Sequence, residues 1–417
     1  MSSTRHEVVI AGAGLAGASL ALVLARAGMQ VAVVDVRPLQ TGIGDFDGRA
    51  SAVAYAAFRI WRSLGLGELL ERDAQRIDAI LVADGPGPGA AAARHAPAVL
   101  RFLGEDGADL RQPGEPLGWM VENRRLRAAL AEALTKAGIA VYTPSSVQSL
   151  AADSRDAQVT LADGRVLTTP LLVGAEGRAS PVRQGAGIKT WGWDYPQGGV
   201  VATVALERPH ANTAYQYFLP GGPLAILPLT EDRASLVWSE KSGPARALVA
   251  ASPEAFEAHL HRRFGEFLGR PRLVGARDLF PLSLQGAKAL TAPRVALVGD
   301  AAHAIHPIAG QGLNLGLKDV AALAEVVIDA RRLGEDWGSE LVLDRYARWR
   351  RFDAAALAAA TDLFNRLFSN DDPILKAVRG LGLSVVERLG PVPKRLFAQE
   401  AGAALGDLPR LLRGEAL

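Results

Sequence analysis

The sequence predicts an α/β fold: a Rossmann-type parallel sheet, interrupted by an inserted, mostly antiparallel β domain and followed by a helical C-terminal region. Three observations predict it. A glycine-rich turn, Gly12-Ala13-Gly14-Leu15-Ala16-Gly17, follows the β-rich run Val8–Ala11 and opens a stretch of helical character. A further buried-strand pattern, Val295-Ala296-Leu297-Val298, stands far along the chain and completes the same sheet. Between them, from Gly199 to Leu284, come alternating runs such as Ala214–Leu219, Ala225–Leu229 and Ser235–Trp238, with the period of two that belongs to half-buried strands.

In chain order, Ala16 to Gly28 is small and apolar at helical spacing, and Gly28 stops it. Gln30 to Asp35 is strand-like, which closes a β-α-β unit of about 30 residues with a right-handed crossover. Gly85 to Pro97, rich in Gly, Ala and Pro, reads as a loop. Arg124 to Gly138 is an Ala/Leu-rich helix followed by a strand near Ala140. Gln158–Leu161 and Val166–Leu167 form a hairpin turned by Asp163-Gly164. A helix runs from about Leu313 to Leu333, and Ser339 to Leu417 is helical in pattern with Pro and Gly interruptions.

Composition narrows the function classes. With 417 residues, two or three sub-domains are expected. Hydrophobic content of 49% and 22% charge describe a globular protein, and a net charge of +2 gives no support for a nucleic-acid partner. There is no cysteine, which excludes disulfides, a thiolate zinc site and a catalytic thiol. Met1 to Glu7 shows no signal peptide, and apolar stretches break before the roughly 18 residues a spanning helix needs. A cytoplasmic location is expected, with peripheral attachment to the inner face of the membrane left open.

The first motif has a stereochemical reason at each glycine. Gly12 permits a tight turn, Gly14 lets the backbone approach a pyrophosphate, and Gly17 lets helix and strand pack closely. The helix N-terminus then faces the phosphates. Asp35, ending the second strand about 20 residues on, is placed to accept hydrogen bonds from ribose hydroxyls. This motif binds a dinucleotide without separating NAD from FAD.

Val298-Gly299-Asp300-Ala301-Ala302-His303, with Gly310-Gln311-Gly312-Leu313-Asn314 after it, resembles the GD box of the single-component FAD aromatic hydroxylases. The resemblance implies FAD as cofactor, with Asp300 on the ribityl chain and Pro307 over the flavin ring. It implies that Gly310, Gly312, Leu313 and Asn314 bring backbone N–H groups and a helix N-terminus to the pyrimidine edge. A helix dipole there favours the negative charge of a reduced flavin. Gly174 to Arg183 is similar to the DG box of the same group, with Glu176 where the usual acid is Asp. Asp47-Gly48-Arg49-Ala50-Ser51-Ala52 resembles its arginine segment, which implies Arg49 on the flavin side. Asn123 sits where the group commonly has a polar residue touching FAD.

The string from His306 through Pro307 and Asn314 to Asp319 resembles the signature of the ubiquinone-biosynthesis hydroxylases of the UbiH/VisC type. Trp193 to Gln197, Phe218 to Pro223, Val237 to Ser239 and Leu367 to Asp371 match that branch as well. The resemblance implies domains at 1–75, 98–185 and 286–335 for a discontinuous FAD-binding domain, 76–97 and 186–285 for the substrate domain, and 336–417 for the helical C-terminal region. It also implies an aromatic-ring monooxygenase in which NAD(P)H reduces the flavin and O₂ supplies the oxygen atom, with a lipophilic, prenylated phenol as substrate. No second GxGxxG is present, so NAD(P)H would bind transiently. No general acid or base is assigned, because the cofactor carries the difficult chemistry. His303 and His306 lack a carboxylate cluster and read as structural or flavin-adjacent rather than metal ligands. Arg345, Arg348, Arg350 and Arg351 read as a solvated face, with a phospholipid-facing patch as the alternative. Three other readings stay open: a hydroxylase of a soluble phenol, a non-catalytic flavin-binding subunit of a quinone-biosynthesis complex, and a NAD-linked dehydrogenase. Contact with such a complex and homo-oligomer formation are open too.

Overall fold

The computed structural model describes residues 4–85, 99–103, 114–305, 311–351 and 408–417. Its organising element is a six-stranded sheet in the order Thr291–Ala292, Val295–Leu297, Leu172–Gly174, Val8–Ala11, Val31–Val34, Ala140–Tyr142. Five of these strands are parallel, and Thr291–Ala292 runs antiparallel at one edge. Val8–Ala11 and Val31–Val34 are buried at every position, the continuous apolar run of a strand covered on both faces. From Val8–Ala11 the chain moves to Val31–Val34 on one side, while Leu172–Gly174 fills the other. The carboxyl ends of these strands therefore open a crevice where the strand order reverses, the usual ligand position in such sheets.

Helix Leu15–Arg26 packs against helices Asn123–Lys136 and Gln311–Arg332. Residues 340–351 are helical, and Val342, Leu343, Tyr346 and Ala347 join the core of the parallel sheet, as do Leu408, Leu411 and Leu412. The described parts of the C-terminal region thus complete an existing core and add no core of their own.

The second large sheet has eight strands, ordered His303–Ala304, Arg272–Ala287, Thr190–Ala205, Arg233–Lys241, Gly222–Leu229, Thr213–Leu219, Ala79–Asp84, Val99–Leu103. All neighbours are antiparallel except Thr213–Leu219 with Ala79–Asp84. One face is sealed by helices Ser242–Ala250 and Pro253–Phe264, with Val200, Ala202, Leu224, Ile226 and Trp238 packed on Phe256, Leu260 and Phe264. Each Val, Leu, Ile or Phe among them contributes about 1.5–3 kcal/mol on burial. Val99–Leu103, which the sequence placed with the nucleotide-binding segments, instead pairs with Ala79–Asp84 at the edge of this sheet. Periodicity shows which face a short strand buries and is silent on its partner.

Two small sheets complete the fold. Ala50–Ala54, Gly118–Glu122 and Gln75–Ile77 form one, and Thr4–Arg5, Val166–Thr169, Ala157–Leu161 and Val147–Ala152 the other, which contains the expected hairpin. The arginine run needs correction. Arg345 pairs with Glu335 and Arg348 with Asp344, as a solvated face requires, but Arg350 is 1% exposed and sits in the protein interior.

Candidate cofactor site

The fingerprint turn is built as its residue types demand. Gly12 has φ +103°, and a Cβ there would stand 2.4 Å from the Ala175 carbonyl oxygen on the neighbouring strand end. A Cβ on Gly17 would stand 2.0 Å from the Gly12 carbonyl oxygen, so helix and turn meet backbone to backbone. Gly14 differs: its φ of −67° suits any residue, and a Cβ there would meet nothing within 4 Å. Gly14 therefore faces open space at the mouth of the crevice. Helix Leu15–Arg26 starts there with no side-chain cap, which leaves the N–H groups of Leu15, Ala16 and their neighbours to satisfy an incoming anion. Asp35 Oδ2 accepts from Ala13 N at 2.6 Å and Oδ1 from Arg37 N at 2.8 Å, which fixes the acid against the turn.

These observations separate two glycine variants. Gly14→Val is expected to melt like the wild type while losing bound dinucleotide, because the new side chain occupies space outside the fold. Gly17→Val must displace backbone and is expected to fold poorly or not at all. Thermal melts read beside flavin content check the contrast.

The second half of the crevice is the loop after Val295–Leu297. Gly299, at φ +62°, enters a turn at Gly299–Ala301, and a Cβ on Gly316 would lie 3.1 Å from Gly299 Cα. Helix Gln311–Arg332 thus packs directly on the loop that carries Asp300. The Asp300 carboxylate has no hydrogen-bond partner among the described residues. It is solvent-accessible yet crowded by protein, and this desolvation pushes its carboxyl above the usual range, against the lowering effect of Arg178 and His303.

Behind the loop lies a buried cluster. Asp319 is fully buried; its Oδ2 accepts from Gly299 N at 3.0 Å and from His303 Nε2 at 2.8 Å, and its Oδ1 accepts from Arg350 Nε at 2.8 Å. Burial alone would raise this carboxyl, but His303 and Arg350 outweigh it and hold it below the usual range. An ionised carboxylate can only accept, so Nε2 of His303 carries the proton. Arg183, 4% exposed, ties the neighbouring loop in by donating to Ala301 O at 2.9 Å and Arg178 O at 2.6 Å. Glu176 accepts from Ser180 Oγ at 2.7 Å and Val182 N at 3.0 Å, so in this chain the acid of the DG-like box ties down the start of helix Pro181–Gly185. Burial pushes the Glu176 carboxyl upward.

Asn123 Oδ1 accepts from Ser51 Oγ at 2.6 Å, and Asn123 N donates to Arg49 O at 2.9 Å, which brings the two positions together. The Arg49 side chain turns outward to Asp47 at 3.1 Å. Asn314 is buried, with Oδ1 accepting from Ala54 N and Nδ2 donating to Ala52 O. Its amide is engaged by strand Ala50–Ala54, which ties the first turn of helix Gln311–Arg332 to that strand. Pro307 and Gly310, like His306, lie outside the described residues. Sequence reasoning quoted Arg183 and Asp319 only as the ends of motifs, without a role, and read Arg350 as solvated.

An uncapped helix N-terminus beside Gly14, an acid fixed at the end of the second strand and an unpartnered carboxylate on the opposite loop suit a dinucleotide with hydroxyl donors at its centre. Joined through Gly299–Ala304 to an antiparallel sheet, this is the architecture of the single-component FAD-dependent monooxygenases that hydroxylate aromatic rings. The FAD binding domain family matches residues 5–361. The chain is 43% identical over 413 residues to the ubiquinone hydroxylase UbiL of Rhodospirillum rubrum, covering 98% of this chain and 92% of that one. It is 35% identical over 407 residues to the 3-demethoxyubiquinol 3-hydroxylase of Escherichia coli, covering 96% and 100%. The fold is shared with p-nitrophenol 4-monooxygenase PnpA of Pseudomonas putida, with a TM-score of 0.76 at 21% identity over 97% of this chain and 100% of that one. The chain belongs to the ubiquinone-biosynthesis hydroxylase family of FAD-dependent monooxygenases. Among the described residues no helix is long and apolar enough to cross a membrane.

Proposed function

We propose that the chain hydroxylates the aromatic ring of a polyprenylated ubiquinone precursor, using FAD, NAD(P)H and O₂. The observation that carries this reading is the 43% identity to a ubiquinone hydroxylase across 98% of the chain. When bound, FAD reduced by NAD(P)H would activate O₂, one atom of which would go to an electron-rich ring carbon and the other to water. The protein's part is to bind, orient and keep the reaction dry. Gly14 and the first turn of helix Leu15–Arg26 take the pyrophosphate, Asp35 the adenosine ribose, and Asp300 the ribityl hydroxyls. Gly312 and Leu313 offer N–H groups to the flavin's pyrimidine edge. Arg49 and Asn123 border the same site. The face of the eight-stranded sheet not covered by helices supplies the apolar wall for the substrate.

A polyprenyl tail partitions into bilayers, so this reading places the chain in the cytoplasm, peripheral on the inner face of the membrane. The test is product analysis with matched substrates. Prenylated phenols are expected to stimulate NAD(P)H oxidation and to gain one oxygen atom from O₂, whereas plain phenols do neither. Equal turnover of plain phenols would move the reading to a soluble phenol. Mass spectrometry of the quinone intermediate that accumulates on deletion of the gene then fixes the ring position.

A further inference from the structure

The face of the eight-stranded sheet turned away from helices Ser242–Ala250 and Pro253–Phe264 carries a buried amide N–H with no hydrogen-bond partner. In strand Thr213–Leu219, Tyr215 and Tyr217 turn to the helical side, with ring centroids 4.9 and 6.2 Å from Phe267. Side chains alternate across a strand, so Gln216 points to the opposite face. Registered neighbours extend its row: Gln216 lies opposite Val82 on one side and Ala225 on the other, Ala225 opposite Val237, and Val237 opposite Val201. An amide thus stands in a row otherwise made of Val and Ala. Gln216 is 8% exposed, and its Nε2 has no hydrogen-bond partner. Buried donors are almost always paired, and one left unpaired opposes folding. Its retention here needs another explanation than stability.

The position of the row supplies one. At one end of this face, Ala214 and Leu229 pack with Ala50, Ala52 and Met120. At the other, Tyr195 packs with Leu284, Ile305 and Leu315. Both contacts reach the start of helix Gln311–Arg332, because Asn314 bonds Ala52 and Ala54 while Leu315 follows it directly. The Gln216 row is therefore held opposite the helix start proposed to carry the flavin ring edge.

We propose that Gln216 is a substrate-binding residue whose amide N–H donates to the ring oxygen of the phenolic substrate, orienting the ring while Val82, Ala225, Val237 and Val201 contact its apolar surface. This deepens the hydroxylase reading and rests on it. A site built to hydrogen-bond a substrate oxygen rejects an analogue lacking that oxygen more strongly than an apolar pocket can.

The test measures binding to the flavin-loaded protein, apart from turnover. 2-Geranylphenol and geranylbenzene, identical except for the ring oxygen, are titrated against wild type and Gln216→Leu, with binding followed by the change in flavin absorbance. Wild type is expected to prefer the phenol, and Gln216→Leu to lose about ten-fold of that preference, with its affinity for geranylbenzene and flavin content kept and its melting temperature unchanged or raised. Gln216→Asn, which retains the donor on a shorter arm, is expected to recover part of the preference. A Gln216→Leu protein that discriminates as well as wild type overturns the assignment and leaves the hydroxylase reading standing. A wild-type protein that binds neither ligand overturns both.

Discussion

Asp319→Asn is expected to destabilise the folded chain by about 3–5 kcal/mol and to release flavin with it. The carboxylate is fully buried between His303 Nε2, Arg350 Nε and Gly299 N–H, at 2.8, 2.8 and 3.0 Å. Removing its charge breaks the buried ion pair with Arg350 from one side, and breaking such a pair in the interior costs far more than losing a neutral hydrogen bond. It also loosens the Gly299 turn, which carries Asp300 one residue later. The sign of the pH dependence follows from the lowered carboxyl of Asp319. A group with a depressed folded pKa contributes stability above its unfolded value near 3.9 and loses it as pH falls further, through the folded value. The stability gap between wild type and Asp319→Asn should therefore be full at neutral pH and shrink below about pH 4. Urea titrations at several pH values measure it. The double variant Asp319→Asn/Arg350→Met, which removes both charges, should recover much of the loss. A gap unchanged by the second substitution would show that the ion pair is not its source.

That cluster also shows where sequence reasoning runs out. Val8–Ala11, Val31–Val34 and Val295–Leu297 were legible because strands buried on both faces must be apolar throughout. The turn at Gly12–Gly17 was legible because its first and last glycines have no room for a side chain. Arg350 was misread because it stands among arginines that are solvated. A signal was present: Leu343, Tyr346, Ala347 and Arg350 fall at i, i+3, i+4 and i+7, so Arg350 continues the buried stripe while Arg345 and Arg348 do not. A charge on that stripe requires a buried partner of opposite sign, and the fully buried Asp319 of helix Gln311–Arg332 supplies it. Which of the two finds the other depends on how helix Gln311–Arg332 and residues 340–351 pack, and no local pattern states that. Gln216 illustrates the same limit. The tyrosines on either side give its face, yet only the register of four neighbouring strands shows that its row is apolar.

Asp300→Ala is expected to yield protein that folds normally and carries little flavin. Asp300 has no partner among the described residues, so its removal breaks no internal bond, in contrast to Asp319. What is lost is an acceptor for hydroxyl donors. Hydrogen bonds to a charged group contribute about 1.5–3 kcal/mol each, so one or two of them correspond to a roughly ten- to ten-thousand-fold weaker affinity for FAD. Crowding raises the Asp300 carboxyl, and this adds a pH signature. The ionised form is the better acceptor, so FAD affinity of the wild-type apoprotein should fall as pH drops through the raised pKa, beginning above the range of an ordinary aspartate near 3.9. Bound hydroxyl donors favour the ionised form, so FAD should in turn draw that pKa downward. Asp300→Asn keeps the size of the side chain, cannot ionise, and should lack this limb while binding weakly at all pH values. Flavin absorbance per protein after gel filtration, measured across pH, reads both effects. Asp300→Ala protein that keeps stoichiometric FAD would remove Asp300 from the site, and with it the argument that its free carboxylate is there to meet the ribityl chain.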